Sequence, residues 1–315
     1  MKPDKFAVRH YLWPYSGSKW RMCQRLYDLF PSHKRFVDVF GGTGIVLARK
    51  SPSVDEVYCD LDWHCRNALT VVKHEGGCNA LVQRLQQTRR DRDQYFECKR
   101  LLKNPDAGAI TRAWAFLVCG AIGYTGHPAI RNSWLPLHRQ KKRLTWLPEE
   151  VARWHKRLSK VAILNLSWKK TLAHFDSIDT LFFLDPPYPE SVVKSRLHEY
   201  YFHSMTTKDH IALLEALQRI RGHAVLCGYN HPLYTERLFH WQKFSFRARN
   251  SKQNSRQEQV WRNFDEHGRK IVNDPDWITS RFIEMMGGTE AAEVLLKHTN
   301  QLMNVPVLAG GHDRG

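Results

Sequence analysis

The feature that most constrains this chain is an apolar run, Thr180-Leu181-Phe182-Phe183-Leu184, that stops abruptly at Asp185-Pro186-Pro187-Tyr188. A run without polar alternation suits a strand covered on both faces, as in a parallel α/β sheet. The tetrapeptide therefore belongs at the carboxyl edge of that sheet, where open α/β folds bind ligands. Two successive prolines remove backbone donors and fix φ, so the carbonyls there point in set directions.

The first ninety or so residues use the same grammar. Phe36-Val37-Asp38-Val39-Phe40 predicts a strand that ends at Gly41-Gly42-Thr43-Gly44, with a helix starting at Ile45 and running to Arg49. Glu56 to Cys59 predicts a second strand, closed by Asp60, and Trp63 to Lys73 another helix. Strand, glycine turn, helix, and strand with a terminal acid form a parallel α/β unit. Glycines let a ligand approach the backbone, and an acid closing the next strand suits ribose hydroxyls. That spacing indicates a ligand containing adenosine. Later, Thr206 to Arg221 predicts a helix opened by a Thr206/Asp209 capping box, striped by Leu213, Leu214, Leu217 and Ile220, and ended at Gly222. Ala224 to Cys227 predicts the next strand. A further helix is expected from about Thr289 to Leu302, before a Gly-rich tail.

Composition bears on partners. Forty-eight Lys+Arg against 31 Asp+Glu leave a net charge of +17, a field that attracts polyanions, with nucleic acid first and an anionic membrane surface second. No apolar stretch is long enough for a membrane-spanning helix, and no apolar run follows Met1 to Lys5, so the expected setting is cytoplasmic, without a membrane partner. The seven cysteines contain no C-x-x-C pair and predict reduced, mostly buried thiols. No metal is expected. Residues 131–160 hold nine Lys/Arg against Glu149 and Glu150, with Trp134, Trp146 and Trp154 between them. The predicted organisation is an α/β domain at 1–95 and 161–270, a basic, mainly helical insertion at 96–160, and a C-terminal helical extension and tail at 271–315.

The chemistry of Asp185 to Tyr188 is specific. A carboxylate and a rigid carbonyl together accept the two hydrogens of a planar amino group, and the tyrosine offers a ring on which an extruded base can stack. Within the insertion, Lys141, Lys142 and Arg143 suit phosphates, while Arg131, Asn132 and Ser133 suit base edges. Tyr124 is grouped with these DNA-contacting candidates. Trp154 instead forms an i, i+3, i+7 stripe with Val151 and Leu158 behind a helix start at Pro148, which is a core pattern. A second basic run, Lys243, Arg247, Arg249, Lys252 and Arg256, holds no acid and predicts a loop facing a duplex.

Tyr15-Ser16-Gly17-Ser18-Lys19-Trp20, Phe40-Gly41-Gly42-Thr43-Gly44, Asp60, Asp185-Pro186-Pro187-Tyr188 and Cys227-Gly228-Tyr229 occur in the order seen in Dam-like adenine-N6 DNA methyltransferases, which the chain resembles over about residues 11–264. Phage and prophage members, some belonging to restriction-modification systems, are the nearest in style. Tyr200-Tyr201-Phe202 with Met205, His210, Leu213-Leu214, Glu258, Trp261 and Asn263 add to the resemblance. It implies that 1–95 and 161–270 form a catalytic domain with a Rossmann-like α/β sheet that uses S-adenosylmethionine, that 96–160 is an inserted target recognition domain, and that the protein acts on double-stranded DNA. Tyr15, Lys19 and Trp20 would belong to an N-terminal cofactor motif. Asp38, Phe40, Gly41, Gly42, Thr43 and Gly44 would cradle the methionine and sugar, and Asp60 the ribose. Asp185 to Tyr188 would hold the target adenine, with Asp185 also facing the cofactor. By spacing alone, Lys19 reads as a solvated surface residue. Asn165-Leu166-Ser167-Trp168 departs from the family, which often has an acid near the cofactor adenine; Ser167 or Asn165 would serve there instead. Cytosine-N4 methylation, where a Ser-led motif is more usual, remains an alternative at this stage. So does a non-catalytic DNA-binding protein on the same fold. The sequence sets neither the recognition site nor the oligomeric state.

Overall fold

A computed structural model describes residues 8–15, 17–123, 127–130, 134–135, 143–188, 203–249 and 255–271. The strands are β1 (Arg35–Asp38), β2 (Asp55–Cys59), β3 (Val161–Leu164), β4 (Thr180–Leu184), β5 (His223–Gly228), β6 (Gln242–Arg249) and β7 (Ser255–Arg262). The helices up to the basic segment are α1 (Cys23–Tyr27), α2 (Ile45–Arg49), α3 (Trp63–Lys73), α4 (Glu75–Gln86), α5 (Arg92–Lys103) and α6 (Ala109–Ile122). They are followed by α7 (Arg143–Leu158), α8 (Trp168–Phe175), α9 (Thr207–Leu217) and α10 (Pro232–Arg237), and a 3-10 turn at Lys19–Arg21 precedes α1.

The seven strands form one sheet in the order β3-β2-β1-β4-β5-β7-β6. β3, β2, β1, β4 and β5 run parallel, and β7 then pairs antiparallel with both β5 and β6. This is the expected α/β sheet. Its central strands are buried on both faces because consecutive side chains point to opposite sides. Phe36, Tyr58, Phe183 and Val225 join one hydrophobic cluster, while Val37, Val57, Phe182 and Leu226 join the other. The strand order reverses at β1, which has β2 on one side and β4 on the other. A crevice opens at the carboxyl ends of strands at such a switch point.

Helices α6 and α7, from the segment between α4 and β3, contribute Trp114, Phe116, Leu147 and Trp154 to the same cluster as Ile45, Tyr58 and Leu69. Trp154 is core, as its spacing predicts, and its indole N–H donates to the His10 carbonyl at 2.9 Å. Pro148, however, lies inside α7 and does not open it. The apolar stripe continues upstream through the buried Leu144 and Leu147, and that burial offsets the backbone hydrogen bond that Pro148 lacks.

Three further boundaries differ from expectation. The second basic run is not a loop as far as Arg249: Lys243, Arg247 and Arg249 lie on β6, in an antiparallel hairpin with β7. Its alternation places Phe244 and Phe246 against the core and leaves Lys243 and Ser245 exposed. α9 is capped by the Thr206/Asp209 box but stops at Leu217, short of Arg221. The Arg221 and Gly222 N–H groups donate instead to the Asp176 carboxylate. β1 ends at Asp38 because the next residues turn toward β2, with the Gly41 N–H donating to the Cys59 carbonyl at 2.8 Å. The unit just described spans Met1–Lys270; the chain divides at Ile271, and the helix predicted over Thr289–Leu302 lies outside the described residues.

Candidate functional site

A cavity of about 360 Å³ opens at the carboxyl ends of β1, β2 and β4. Pockets of roughly 300–1,000 Å³ are those that hold cofactors and other small ligands. Its walls combine Tyr15 and Lys19 from the N-terminal motif, Asp38 to Thr43 from the glycine turn, Asp60, Ser167, and Asp185 to Tyr188. Segments far apart in sequence thus meet at one sheet edge.

The glycine turn is shaped by the end of β2. A Cβ on Gly41 would run into the ring of the buried Tyr58, while Gly42 and Gly44 adopt φ of +51° and +66°. These positions favour glycine for steric reasons. The Tyr58 hydroxyl donates to the Gly42 carbonyl at 2.8 Å, and the Gly42 N–H donates to Asp60 Oδ2 at 2.6 Å. Asp60 Oδ1 accepts the Asp62 N–H at 2.7 Å. Despite these donors, burial dominates and pushes the Asp60 carboxyl up to about 6.

Asp38, at the end of β1, is buried and lines the same cavity; its Oδ1 lacks a hydrogen-bond partner among the described residues. Burial, then the neighbouring Asp185 and Asp60 charges, holds its carboxyl well above the usual carboxylate range. Two poorly compensated acids facing one cavity suit a ligand that brings positive charge and hydrogen-bond donors. S-adenosylmethionine carries a sulfonium, an ammonium and ribose hydroxyls, and the residues present fit it.

At the end of β4 the electrostatics differ. Lys19 is only 2% exposed, and its ammonium donates to Asp185 Oδ2 at 2.7 Å, the Tyr188 hydroxyl at 2.9 Å and the Gly17 carbonyl at 2.8 Å. Glu258 on β7 approaches the same ammonium at 3.5 Å. Burial works against this charge, but Asp185, with Tyr188 and Glu258, more than offsets it and holds the ammonium well above the usual lysine range. Lys19 is therefore buried, against the surface reading that its spacing alone suggests. The Tyr188 ring packs on Tyr229, centroids 4.2 Å apart, so one side of it is already covered.

Not every candidate reaches the cavity. Trp20 lies outside its walls, donating to the Arg9 carbonyl, with Arg49 over its ring. Asn165 is exposed and does not line the cavity, whereas Ser167 does, as the N-cap of α8. Gly44 caps α2 behind the wall. Tyr124, Arg131, Asn132, Ser133, Lys141 and Lys142 fall outside the described residues, as do the side chains of Arg143, Arg247 and Arg249. Of the basic residues at 131–160, Arg157 is committed internally: it pairs with the buried Glu56 and donates to the Leu47 and Ala48 carbonyls.

Two site residues were missed as such by sequence reasoning. Glu258 entered only through the family resemblance, although an acid just past a long basic run is a visible signal. Asp62, which lines the cavity, carries an N-cap signature directly before Trp63, and it accepts the His64 N–H at 2.8 Å. Asp62, Cys65 and His127 also bring ligand-type atoms within 4.8 Å of one another. The seven cysteines are free and buried, and burial raises the Cys65 and Cys227 thiols well above their ordinary range, which disfavours a nucleophilic thiolate.

Two solved structures are similar in outline. A Haemophilus influenzae protein assigned as a methylase, HI0767, matches at 9% identity and a TM-score of 0.29, covering 80% of this chain and 92% of its own. A Pyrococcus horikoshii protein assigned as an RNA methyltransferase, PH1948, matches at 9% identity and a TM-score of 0.32, covering 87% and 93%. At these scores neither likeness bears on substrate. No curated protein matches the chain. No described helix is long and apolar enough to cross a membrane. The family model for D12 class N6 adenine-specific DNA methyltransferases matches residues 15–268, four-fifths of the sequence, and carries the glycine turn, Asp60 and Asp185 to Tyr188 within it; the chain belongs to that family.

Proposed function

We propose that Asp185 and the Pro186 carbonyl hold the N6 amino group of an adenine flipped out of double-stranded DNA, beside S-adenosylmethionine bound between Asp38, the glycine turn and Asp60. The family establishes the reaction, adenine-N6 methylation of DNA, and with it the general use of S-adenosylmethionine. The observation that carries the residue assignment is the shared cavity. Asp185, paired with a buried lysine, and Asp38 and Asp60, whose carboxyls burial raises, line the same 360 Å³ space.

When bound, S-adenosylmethionine supplies an electrophilic methyl group on sulfur. Asp185, oriented by Lys19 through Oδ2, accepts one N6 hydrogen, and the proline-fixed carbonyl of Pro186 accepts the other. This directs the nitrogen lone pair out of ring conjugation. The methyl group would pass directly from sulfur to N6, with the S–C bonding pair staying on sulfur and one N6 proton lost to solvent. Orientation and fixed electrostatics supply the rate, with no covalent enzyme intermediate. Tyr188, held by Lys19 and Tyr229, forms one wall for the base. Asp38 would accept from the methionine ammonium and Asp60 from the ribose hydroxyls, and Ser167 and Leu166, which line the same cavity, would border the cofactor.

Target reading falls to the basic stretch around residues 124–143, built on α6 and α7 as a scaffold, with the β6–β7 hairpin adding phosphate contacts. Basic side chains there grip the backbone, and Arg131, Asn132 and Ser133 meet base edges. The test is expression in a host free of DNA methylation, followed by nucleoside mass spectrometry and sequencing that maps modified adenines. N6-methyladenine at one short motif is expected. N4-methylcytosine, or methyl groups scattered without a motif, would overturn the reading.

A further inference from the structure

Residues 127–130 lead directly into Arg131 and are fixed from two sides. The buried His127 faces Asp62, with Nε2 2.6 Å from Oδ2. The Ala129 N–H donates to His127 Nδ1 at 3.3 Å, which leaves Nε2 as the protonated nitrogen that donates to Asp62. Cys65 also donates to the same oxygen at 3.5 Å. From the other side, the buried Lys99 on α5 donates to the Pro128 and Ala129 carbonyls at 2.9 and 2.7 Å. An antiparallel bridge joins Gly123 and Trp134, which lie before and after the segment in the chain.

The inner anchor reaches the cofactor side of the cavity. Asp62 lines it, and the Asp62 N–H donates to Asp60 Oδ1 at 2.7 Å. Tyr15, another wall residue, meets the His127 ring edge-on, centroids 5.9 Å apart. A short unbroken path therefore runs from Asp60 through Asp62 to His127. A surface loop that only connected two helices would need neither a buried Asp–His pair nor a buried lysine, since each is expensive to desolvate.

We propose that His127 is a positioning residue that couples the cofactor pocket to target recognition. Ligand contact at Asp60 and Asp62 sets the placement of His127, and with it the start of the basic stretch. Cofactor and DNA then each bind more tightly in the presence of the other, by the same factor. The proposal rests on the reading that residues from Arg131 onward contact DNA.

The experiment measures affinity for a duplex that the wild-type enzyme methylates, with and without S-adenosylhomocysteine, which has no methyl group to transfer. For the wild type the ratio of the two dissociation constants should be at least about fivefold, the lower end of ordinary allosteric coupling. In His127→Leu the ratio should fall close to one, while S-adenosylhomocysteine affinity without DNA stays near wild type. His127→Gln, which keeps an N–H donor near the Nε2 position, should restore most of the ratio. A purely structural role would not separate the leucine and glutamine variants in this way. If His127→Leu does not fold, Lys99→Met removes the other anchor, away from the cavity, and should also reduce the ratio. A folded variant that keeps the wild-type ratio overturns the coupling, as does a wild type with no ratio to lose. A wild type that leaves no N6-methyladenine in DNA overturns the functional reading itself, before the coupling is measured.

Discussion

Asp60 and Asp185 are both aspartates just past the carboxyl ends of parallel strands, on opposite sides of β1, and both border one cavity. They are held in different ways. Asp60 receives two backbone N–H groups and, among the described residues, forms no ion pair with a lysine or arginine; burial raises it to about 6. Asp185 is paired with an ammonium that is 2% exposed. The contrast separates two jobs that a carboxyl group can do. Backbone amides give Asp60 its place and leave its charge responsive to what binds; a buried cation gives Asp185 a counter-charge before any ligand arrives.

The largest expected effect breaks the Asp185 side. Asp185→Ala should lower kcat by about 10³-fold, the upper range for losing one preorganised hydrogen-bonding group in an active site. Cofactor affinity should stay within a few-fold of wild type, because Asp38, Asp60 and the glycine turn remain. Methyl incorporation and a calorimetric titration read the two quantities separately. Turnover near wild type would remove Asp185 from the chemistry, and a collapse of cofactor binding would show that the two aspartates do not divide their work.

A smaller loss follows from removing the counter-charge and keeping the acid. Lys19→Met leaves the Asp185 and Glu258 side chains, 19% and 10% exposed, without their shared cation. Breaking a buried pair from one side costs about 3–5 kcal/mol, and partial exposure places this case toward the lower end. Urea denaturation at neutral pH should show that loss, together with reduced kcat. A variant as stable as wild type would mean that solvent already screens the pair, and the contrast with Asp60 would weaken.

The two aspartates were equally legible in the sequence, but the cation that distinguishes them was not. Both stand where a strand pattern stops, so period and turn chemistry were enough to place them at one sheet edge. The helix Trp63–Lys73 and the strand Thr180–Leu184 likewise match their patterns, because local periodicity is strong there. Lys19 shows the limit. Its partner Asp185 lies 166 residues away, and no local pattern distinguishes a buried lysine from a solvated one. Only the family resemblance pointed to it. The Asp62–His127 contact spans 65 residues and was invisible for the same reason. At β6 the alternation of Phe244 and Phe246 with polar residues was present, but the density of basic residues obscured a strand signal. Pro148 misled because a proline is a good helix opener in general; here the buried Leu144 and Leu147 outweigh it.

The smallest effect sharpens the Asp60 side and is a matter of pH. Its carboxyl titrates at about 6 in the folded protein against an ordinary value of 3.8. A raised folded pKa means that the protonated form is favoured by folding. The stability that this gives the ligand-free protein is complete below about 3.8 and is lost as pH rises through about 6. Cofactor binding should run in the opposite direction, since ribose hydroxyls need the ionised carboxylate as acceptor. Cofactor affinity of the wild type should therefore rise between pH 5 and pH 7 and then level, by up to about tenfold per pH unit below the midpoint. Asp60→Asn should bind more weakly at pH 8 and lose most of that slope. A residual slope of the same sign would belong to Asp38, which burial also raises. Calorimetry in two buffers of different ionisation enthalpy should find protons released on binding near pH 6 for the wild type, and fewer for the variant. A wild-type affinity that stays flat across this range would mean that Asp60 meets the cofactor without ionising, and its difference from Asp185 would then be one of position alone.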